Sequence, residues 1–146
     1  MADFYTELKT LLKADGALGA LTSIILDDED VGHDGLQRKD LLASASAVSI
    51  SPAIFIKGST RVAWSELLFN AERIYLEIFF YEETGYTTCL AMRDRVLTLL
   101  HRQQVTFDTG FCLEMYWLSD VTNSFDEALG NVSMWRSRYE ARITRD

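Results

Sequence analysis

Apolar residues recur along this chain at two spacings, one typical of helices and one typical of strands. The first helical stripe consists of Phe4, Leu8, Leu11 and Leu12. Asp3 can cap its first turn and the Asp15-Gly16 pair can end it, so we predict a helix over residues 3–14. A second stripe follows residues 84–86 and predicts a helix of about four turns. Its members are Cys89, Met92, Val96 and Leu100.

The stretch "RIYLEIFFYEETG", residues 73–85, predicts the strongest strand because its apolar residues alternate. One side of this strand carries Ile74, Leu76, Ile78 and Phe80. The other side carries Tyr75, Phe79 and Tyr81. Two helices can cover only one face of a sheet, and a large aromatic patch left on the other face indicates contact with another protein chain.

Further strands are predicted near residues 23–26 and in "SPAIFIKG", "GFCLEMYWLSDV" and "NVSMWRSRYEARIT". "RVAWSELLFN" alternates poorly and predicts either a second strand or an exposed arm. "LQRKDLLASASAV" fits a short helix or an extended segment equally well. This order of elements predicts an α+β fold, with a single mostly antiparallel sheet of four to five strands and two main helices packed on one face. We predict one domain over residues 1–146, with an acidic and serine-rich insertion at about 27–51.

Composition and charge narrow the possible functions. The 146 residues carry a formal net charge of −8, which argues against a protein that grips the nucleic-acid backbone. No run approaches the ~18 consecutive apolar residues that cross a bilayer, and the first residues lack the basic stretch of a signal peptide. We therefore expect a protein made in a cytoplasm, with no membrane partner.

Catalytic motifs are missing from the sequence, which contains only two histidines, His33 and His101. His101 follows the second predicted helix, where the helix dipole favours a partly positive side chain. Cys89 and Cys112 lack the spacing of a zinc or redox site, so we expect both to be small buried apolar residues. The sequence thus predicts no enzyme and no cofactor.

An acidic cluster follows the strand near residues 23–26. It contains Asp27, Asp28, Glu29, Asp30 and Asp34. A calcium loop that began at Asp28 would need glycine at its sixth position and glutamate at its twelfth, but those positions hold His33 and Lys39. We therefore predict a solvated surface loop and no metal site, although a metal-assisted hydrolase that uses this loop and His33 is an alternative.

Arginines and aromatic residues mix near the end of the chain, where Arg136, Arg138 and Arg142 share one strand side. Such a mixture can hold single-stranded nucleic acid, but the Glu140 among them favours a protein interface. The residues that we predict to form a subunit interface are Trp64, Tyr75, Phe79, Tyr81, Tyr116, Arg136 and Arg138.

The whole layout resembles the small tail-terminator (tail-completion) proteins of long-tailed bacteriophages and related phage-like particles. The resemblance lies in "FYTELKTLLKAD", "SPAIFIKG", "RIYLEIFFYEETGYTTCLAMRDRVLTLLH", "FCLEMYWLSDV" and "VSMWRSRYEARI", and it covers nearly the whole chain. It rests on the order of elements rather than on an invariant motif. The insertion at 27–51 is longer than the loop that such proteins often have at this place.

The resemblance implies a structural virion subunit that forms a ring, usually a homohexamer. Such a ring caps the tail tube, terminates its polymerisation and offers the head-tail joining surface. Its partners would be other copies of itself, the tail-tube protein and the head-closure or neck protein, with DNA only passing through the lumen. We expect assembly in the host cytoplasm, and we expect the acidic residues 27–34 to face the lumen or an axial rim. Alternatives are a head-closure or neck connector subunit, and a non-viral protein-binding module that uses the aromatic sheet face.

Overall fold

The computed structural model of this chain describes residues 3–65 and 68–145, and for residues 33, 59–65 and 68–70 it describes the backbone without the side chains. Four α-helices and six β-strands lie in the described part. The helices are α1 (Phe4–Ala14), α2 (Gly16–Gly19), α3 (Asp28–Val31) and α4 (Thr87–Leu100). The strands are β1 (Ile24–Asp27), β2 (Ala53–Ser65), β3 (Leu68–Glu82), β4 (Val105–Phe107), β5 (Gly110–Asp126) and β6 (Val132–Arg145).

The strands form one curled mixed sheet in the order β1-β2-β3-β6-β5-β4. Strand β1 runs parallel to β2, and every other neighbouring pair is antiparallel. The prediction of a mostly antiparallel sheet of four to five strands with two main helices is therefore wrong. The parallel pair arises because residues 28–52 are long enough to carry the chain back to the start of the next strand. Strand β4 has three residues, which are too few to show an alternating pattern.

The structure confirms the prediction of which side of β3 faces the core. Ile74, Leu76, Ile78 and Phe80 are fully buried beneath α1 and α4, in the larger of two apolar clusters. The prediction of a helix over 3–14 is confirmed by α1, whose first turn is capped by a hydrogen bond from the Thr6 N–H to Asp3 at 2.8 Å. We call this side of the sheet the helix face and the opposite side the second face.

An ion pair joins the two ends of the helical layer. Arg95 on α4 donates two hydrogen bonds to Asp15, one from Nη2 at 2.7 Å and one from Nε at 2.8 Å. Asp15 also accepts the Leu18 N–H at 2.8 Å and so caps α2. The Arg95 guanidinium and the capping bond lower the pKa of Asp15 to about 2. The carboxylate therefore holds α1, α2 and α4 together down to acidic pH.

Residues 28–51, which we call the excursion, cross the second face at one end. Arg38 holds the excursion in place, because its Nη2 donates to the Glu83 carboxylate at 2.7 Å and its Nη1 donates to the Leu129 carbonyl at 3.2 Å. Glu83 also accepts the Ile50 N–H at 2.8 Å. Beneath the excursion lies the second apolar cluster, whose buried residues are Leu41, Ile50, Ala53, Phe55, Tyr81, Leu129 and Val132.

The acidic cluster is not the plain surface loop that the sequence predicted. Asp27 is only 3% exposed, and its carboxylate caps α3 by accepting the Asp30 N–H at 3.1 Å. Lys9 on α1 lies 3.1 Å from Asp27 and 2.8 Å from Asp30. A buried carboxylate is tolerated here because it has both a cation and backbone donors.

Cys89 and Cys112 are free and buried, as the sequence predicted. No three His, Cys, Asp or Glu side chains come together as a metal ligand set within the described residues. None of the helices in the described part has both the length and the apolar character that a bilayer crossing requires.

Candidate subunit interface on the second sheet face

The second face of the sheet has a closed end and an open end. At the closed end the excursion and residues 126–132 cover Tyr81, which is 2% exposed. The expectation that Tyr81 is left for a neighbouring chain is therefore corrected. Phe79 lies at the boundary, half-buried and packed against Phe55 and Tyr81 with ring centroids 6.0 and 6.2 Å apart. Tyr75, further along β3, lies at the open end.

Three arginines of β6 lie over three aromatic rings at the open end. Arg136 lies directly opposite Phe79 on β3, with its guanidinium 5.8 Å from the ring centroid. Arg138 lies diagonally across from Tyr75 at 5.0 Å. We call this group the arginine surface; its third pair is Arg142 over Tyr116 of β5, at 4.7 Å. Because side chains on one sheet face repeat every second residue, residues 136, 138 and 142 share this side of the strand.

Glutamates interleave with these arginines. Glu77 lies 3.6 Å from Arg136, and Glu140 lies 3.4 Å from Arg142 and 3.7 Å from Arg73. These ion pairs are partly exposed, so each contributes at most ~1 kcal/mol to stability. Two of them also tether arginines that lie over rings, Arg136 over Phe79 and Arg142 over Tyr116.

The charge of this region differs from that of the whole chain. Strands β3, β5 and β6 place four arginines (73, 136, 138 and 142) and three glutamates (77, 114 and 140) on the open end, a net charge of +1 from these three strands. The chain as a whole carries −8, so all other residues together carry −9. The open end is thus a mildly basic and aromatic area on a strongly acidic protein.

Two more features make the arginine surface suited to contact with a protein. Val121 of β5 lies opposite Arg136 and is 39% exposed, which adds apolar area to the surface. The Tyr116 hydroxyl donates to the Glu114 carboxylate, and this hydrogen bond raises the pKa of Tyr116. Aromatic and arginine side chains fixed in this way lose little conformational entropy when a partner binds.

The predicted interface residues therefore do not all lie together. The structure brings Tyr75, Phe79, Tyr116, Arg136 and Arg138 to one surface, and it buries Tyr81. Trp64 lies in β2, where the side chain is outside the described part of the structure.

The acidic residues lie elsewhere, at the β1–β2 side of the sheet, where α3 packs against both strands. Asp27 is buried and Asp30 pairs with Lys9. Asp28, Glu29 and Asp34 are exposed, as is Asp30 despite its ion pair.

A polar cluster on the helix face was not predicted from the sequence. Asp120 of β5 accepts hydrogen bonds from Trp117 Nε1 at 2.7 Å, Trp135 Nε1 at 2.9 Å, Ser137 Oγ at 2.8 Å and Arg93 Nε at 2.7 Å. Burial favours the neutral acid, but the hydrogen bonds and the Arg93 charge outweigh it, so the pKa of Asp120 lies below its usual range. Its four donors come from three separate elements, and no spacing in the sequence connects them.

The structure describes the side chain of only one of the two histidines. His101 ends α4, and its Nδ1 accepts the Trp117 N–H at 3.1 Å, which ties the helix end to β5. The side chain of His33 is outside the described part.

Comparison with solved structures finds a similar fold along almost the whole chain. A chain of a structure described as "Virion of native gene transfer agent (GTA) particle" superposes with a TM-score of 0.67. The match covers 97% of this chain and 94% of that one, at 12% sequence identity. At this identity the likeness shows a shared fold. No family model matches the sequence, and none of the curated proteins matches it.

Proposed function

We propose that this chain is a structural subunit of a phage-like virion, and that within the particle it forms the tail-terminator ring. The observation that carries the proposal is the full-length fold similarity to a chain of a gene transfer agent virion. It agrees with the family resemblance of the sequence, which rests on the order of helices and strands. The fold similarity compares backbone coordinates, and the family resemblance compares patterns of residues along the chain.

The arginine surface supports an assembled state. A ring closes only if one patch of each subunit meets a different patch on its neighbour. The open end of the second face is a suitable first patch, since it is aromatic, arginine-rich and held rigid by its own ion pairs.

In this function the subunit does no chemistry. Copies of the chain, six in the ring that we propose, would cap the tip of the tail tube, stop its growth and present a surface to the head-closure or neck protein. DNA would pass through the lumen without specific binding, and the strongly negative charge of the chain suits such passage because it repels phosphate. The protein would then be found in the virion, in its tail or neck.

The proposal is tested by adding the purified chain to polymerising tail-tube protein and measuring tube length by electron microscopy. A terminator shortens the tubes as its concentration rises and is found at one tip. If the tubes keep their length and the chain labels isolated heads instead, the terminator role is wrong and a neck position replaces it. If the chain binds neither tubes nor heads, the virion role itself is wrong.

A further inference from the structure

The two surfaces that stand out on this molecule have opposite charge and lie at different places on the sheet. The arginine surface lies on β3, β6 and β5. The acidic residues of α3 lie beside β1 and β2, at the β1 edge of the same sheet, where Asp28 and Phe79 line one pocket. Strands are about 4.8 Å apart, so β1 and β6 are separated by about 14 Å across the sheet.

We infer that the arginine surface of one subunit binds the α3 segment, residues 28–34, of the next subunit. This inference rests on the proposed ring function and names the two patches that would meet in it. It also gives Asp28 and Glu29 a place at the subunit contact rather than in the lumen or on the rim.

Charge complementarity is the first argument for this pairing. Asp28 and Glu29 are exposed, whereas Asp27 and Asp30 are already engaged by Lys9. Arg138 is likewise exposed, at the centre of a surface with a net charge of +1. The surface is too weakly basic, and too interleaved with glutamates, to suit a nucleic-acid backbone. A short acidic segment of a protein, which meets the exposed Arg138, fits it better.

Geometry is the second argument. The two patches are different parts of the same chain, so copies that repeat this contact head to tail are joined by a heterologous interface, whereas a reciprocal contact would stop at a two-fold dimer. Each subunit then uses its arginine surface once and its α3 segment once. A contact of this kind leaves no free patch after ring closure, which a face-to-face pairing of two arginine surfaces could not achieve beyond a dimer.

The α3 segment is suited to dock as a rigid unit. A reciprocal pair of hydrogen bonds between Asp27 and Asp30 caps α3, and the ion pairs with Lys9 hold the segment against α1. A segment that is already ordered loses less entropy on binding. The exposed carboxylates of α3 are therefore presented in fixed positions to a neighbour.

Charge reversal tests the inference. Arg138→Glu or Glu29→Arg alone should weaken self-association by about tenfold or more, measured by light scattering and native mass spectrometry, because like charges then meet at the contact. An equal mixture of the two variants should assemble again, since every contact in an alternating ring is then complementary. Lys13→Glu, an equal charge change at an exposed position on α1, is the matched control and should assemble like the parent chain.

Disulfide trapping gives a readout that does not depend on a stable ring. A chain that carries both Glu29→Cys and Arg138→Cys should form a ladder of cross-linked dimers, trimers and larger species, because the two native cysteines are buried. The control chain carries Lys13→Cys and Arg138→Cys, and it should not form the ladder. The trapping is done at high protein concentration, with and without tail tubes.

The outcomes separate this inference from the proposed function. If Arg138→Glu assembles as well as the parent, the pairing is wrong. The pairing is also wrong if the single variant Arg138→Cys forms cross-linked dimers and the double variant forms nothing larger. Neither result contradicts the proposed ring. If no ladder forms under either condition, the pairing is wrong. If the ladder forms but tubes are not shortened, the pairing holds and the terminator function fails.

Discussion

The two sides of strand β3 have opposite relations to the rest of the chain. From Ile74 to Phe80 the helix face is covered by α1 and α4, and its β3 residues there are fully buried. The second face is sealed only near Tyr81, where the excursion crosses it, and is open from Phe79 to Tyr75. Both sides looked apolar in the sequence. The difference shows that an aromatic residue on a strand indicates burial somewhere, but does not say which part of the chain, or which neighbour, covers it.

The largest expected effect lies on the helix face. Ile78→Glu would place an unpaired charge in the core beneath α4, so we expect the chain to lose its native fold. Glu77→Gln, at the adjacent position on the second face, should change the free energy of unfolding by only about 0.5 kcal/mol. Far-UV circular dichroism and urea denaturation measure both. If the two variants behave alike, the sides of β3 do not differ as described.

The next effect compares two tyrosines on the second face. Tyr81→Ala should lower the free energy of unfolding by about 3–5 kcal/mol, because it leaves a cavity under the excursion. Tyr75→Ala, six residues earlier on the open end, should cost about 1 kcal/mol. Urea denaturation of the two variants gives the comparison directly. Equal losses would mean that the excursion does not seal Tyr81.

The polar cluster on the helix face should give a smaller effect that depends on pH. Asp120→Ala leaves two indole N–H groups and the Arg93 Nε–H without the acceptor that they share, so we expect a loss of about 2–4 kcal/mol at pH 7. The pKa of Asp120 is lower in the folded chain than its usual value. Its stabilising contribution is therefore present above the unfolded pKa, near 3.9, and is lost as the pH falls through the folded value.

Urea denaturation of the parent and the Asp120→Ala chain between pH 7 and pH 2 measures this contribution. The difference in unfolding free energy should shrink towards the acid end. Asp94→Ala removes the exposed second carboxylate that pairs with Arg93, so it serves as the control and should change stability by less than about 0.5 kcal/mol. A difference between parent and Asp120→Ala that stays constant with pH would contradict a role for the ionised carboxylate.

The smallest expected effect is a gain in stability. Tyr139 is fully buried on the helix face, and within the described residues its hydroxyl has no hydrogen-bond partner. Tyr139→Phe removes that polar atom and should raise the free energy of unfolding by about 1 kcal/mol. Tyr116→Phe, which removes a hydroxyl that donates to Glu114, is the matched control and should not be stabilising. Thermal and urea denaturation of both chains measure the two changes.

Local patterns in the sequence were enough to predict several features of the fold. Short-range periodicity predicts which side of β3 is buried, and together with the Asp3 cap it predicts the extent of α1. The lack of a zinc or redox spacing predicts that the two cysteines are buried apolar residues. The grouping of residues 136, 138 and 142 on one side of β6 follows from short-range periodicity as well. Periodicity is reliable here because each of these features depends on residues close together in the chain.

A strand was predicted near residues 23–26, but its parallel pairing, helix α3 and the short strand β4 could not be predicted in this way. These three elements are four residues long or less, so none leaves a periodic signal. The excursion is held by contacts distant in sequence, such as Arg38 with Glu83, 45 residues away. The Asp120 cluster joins residues from α4, β5 and β6 in the same way.

The sequence by itself determined which side of each long strand and helix is apolar, because alternating and helical spacings are local properties of the chain. Only the tertiary structure decided what covers those sides. It placed the excursion over Tyr81 and left the rings of Tyr75 and Tyr116 beneath arginines at the open end. The physical reason is that coverage depends on contacts between residues far apart in the chain, and their pairing depends on the path of the backbone rather than on any local spacing.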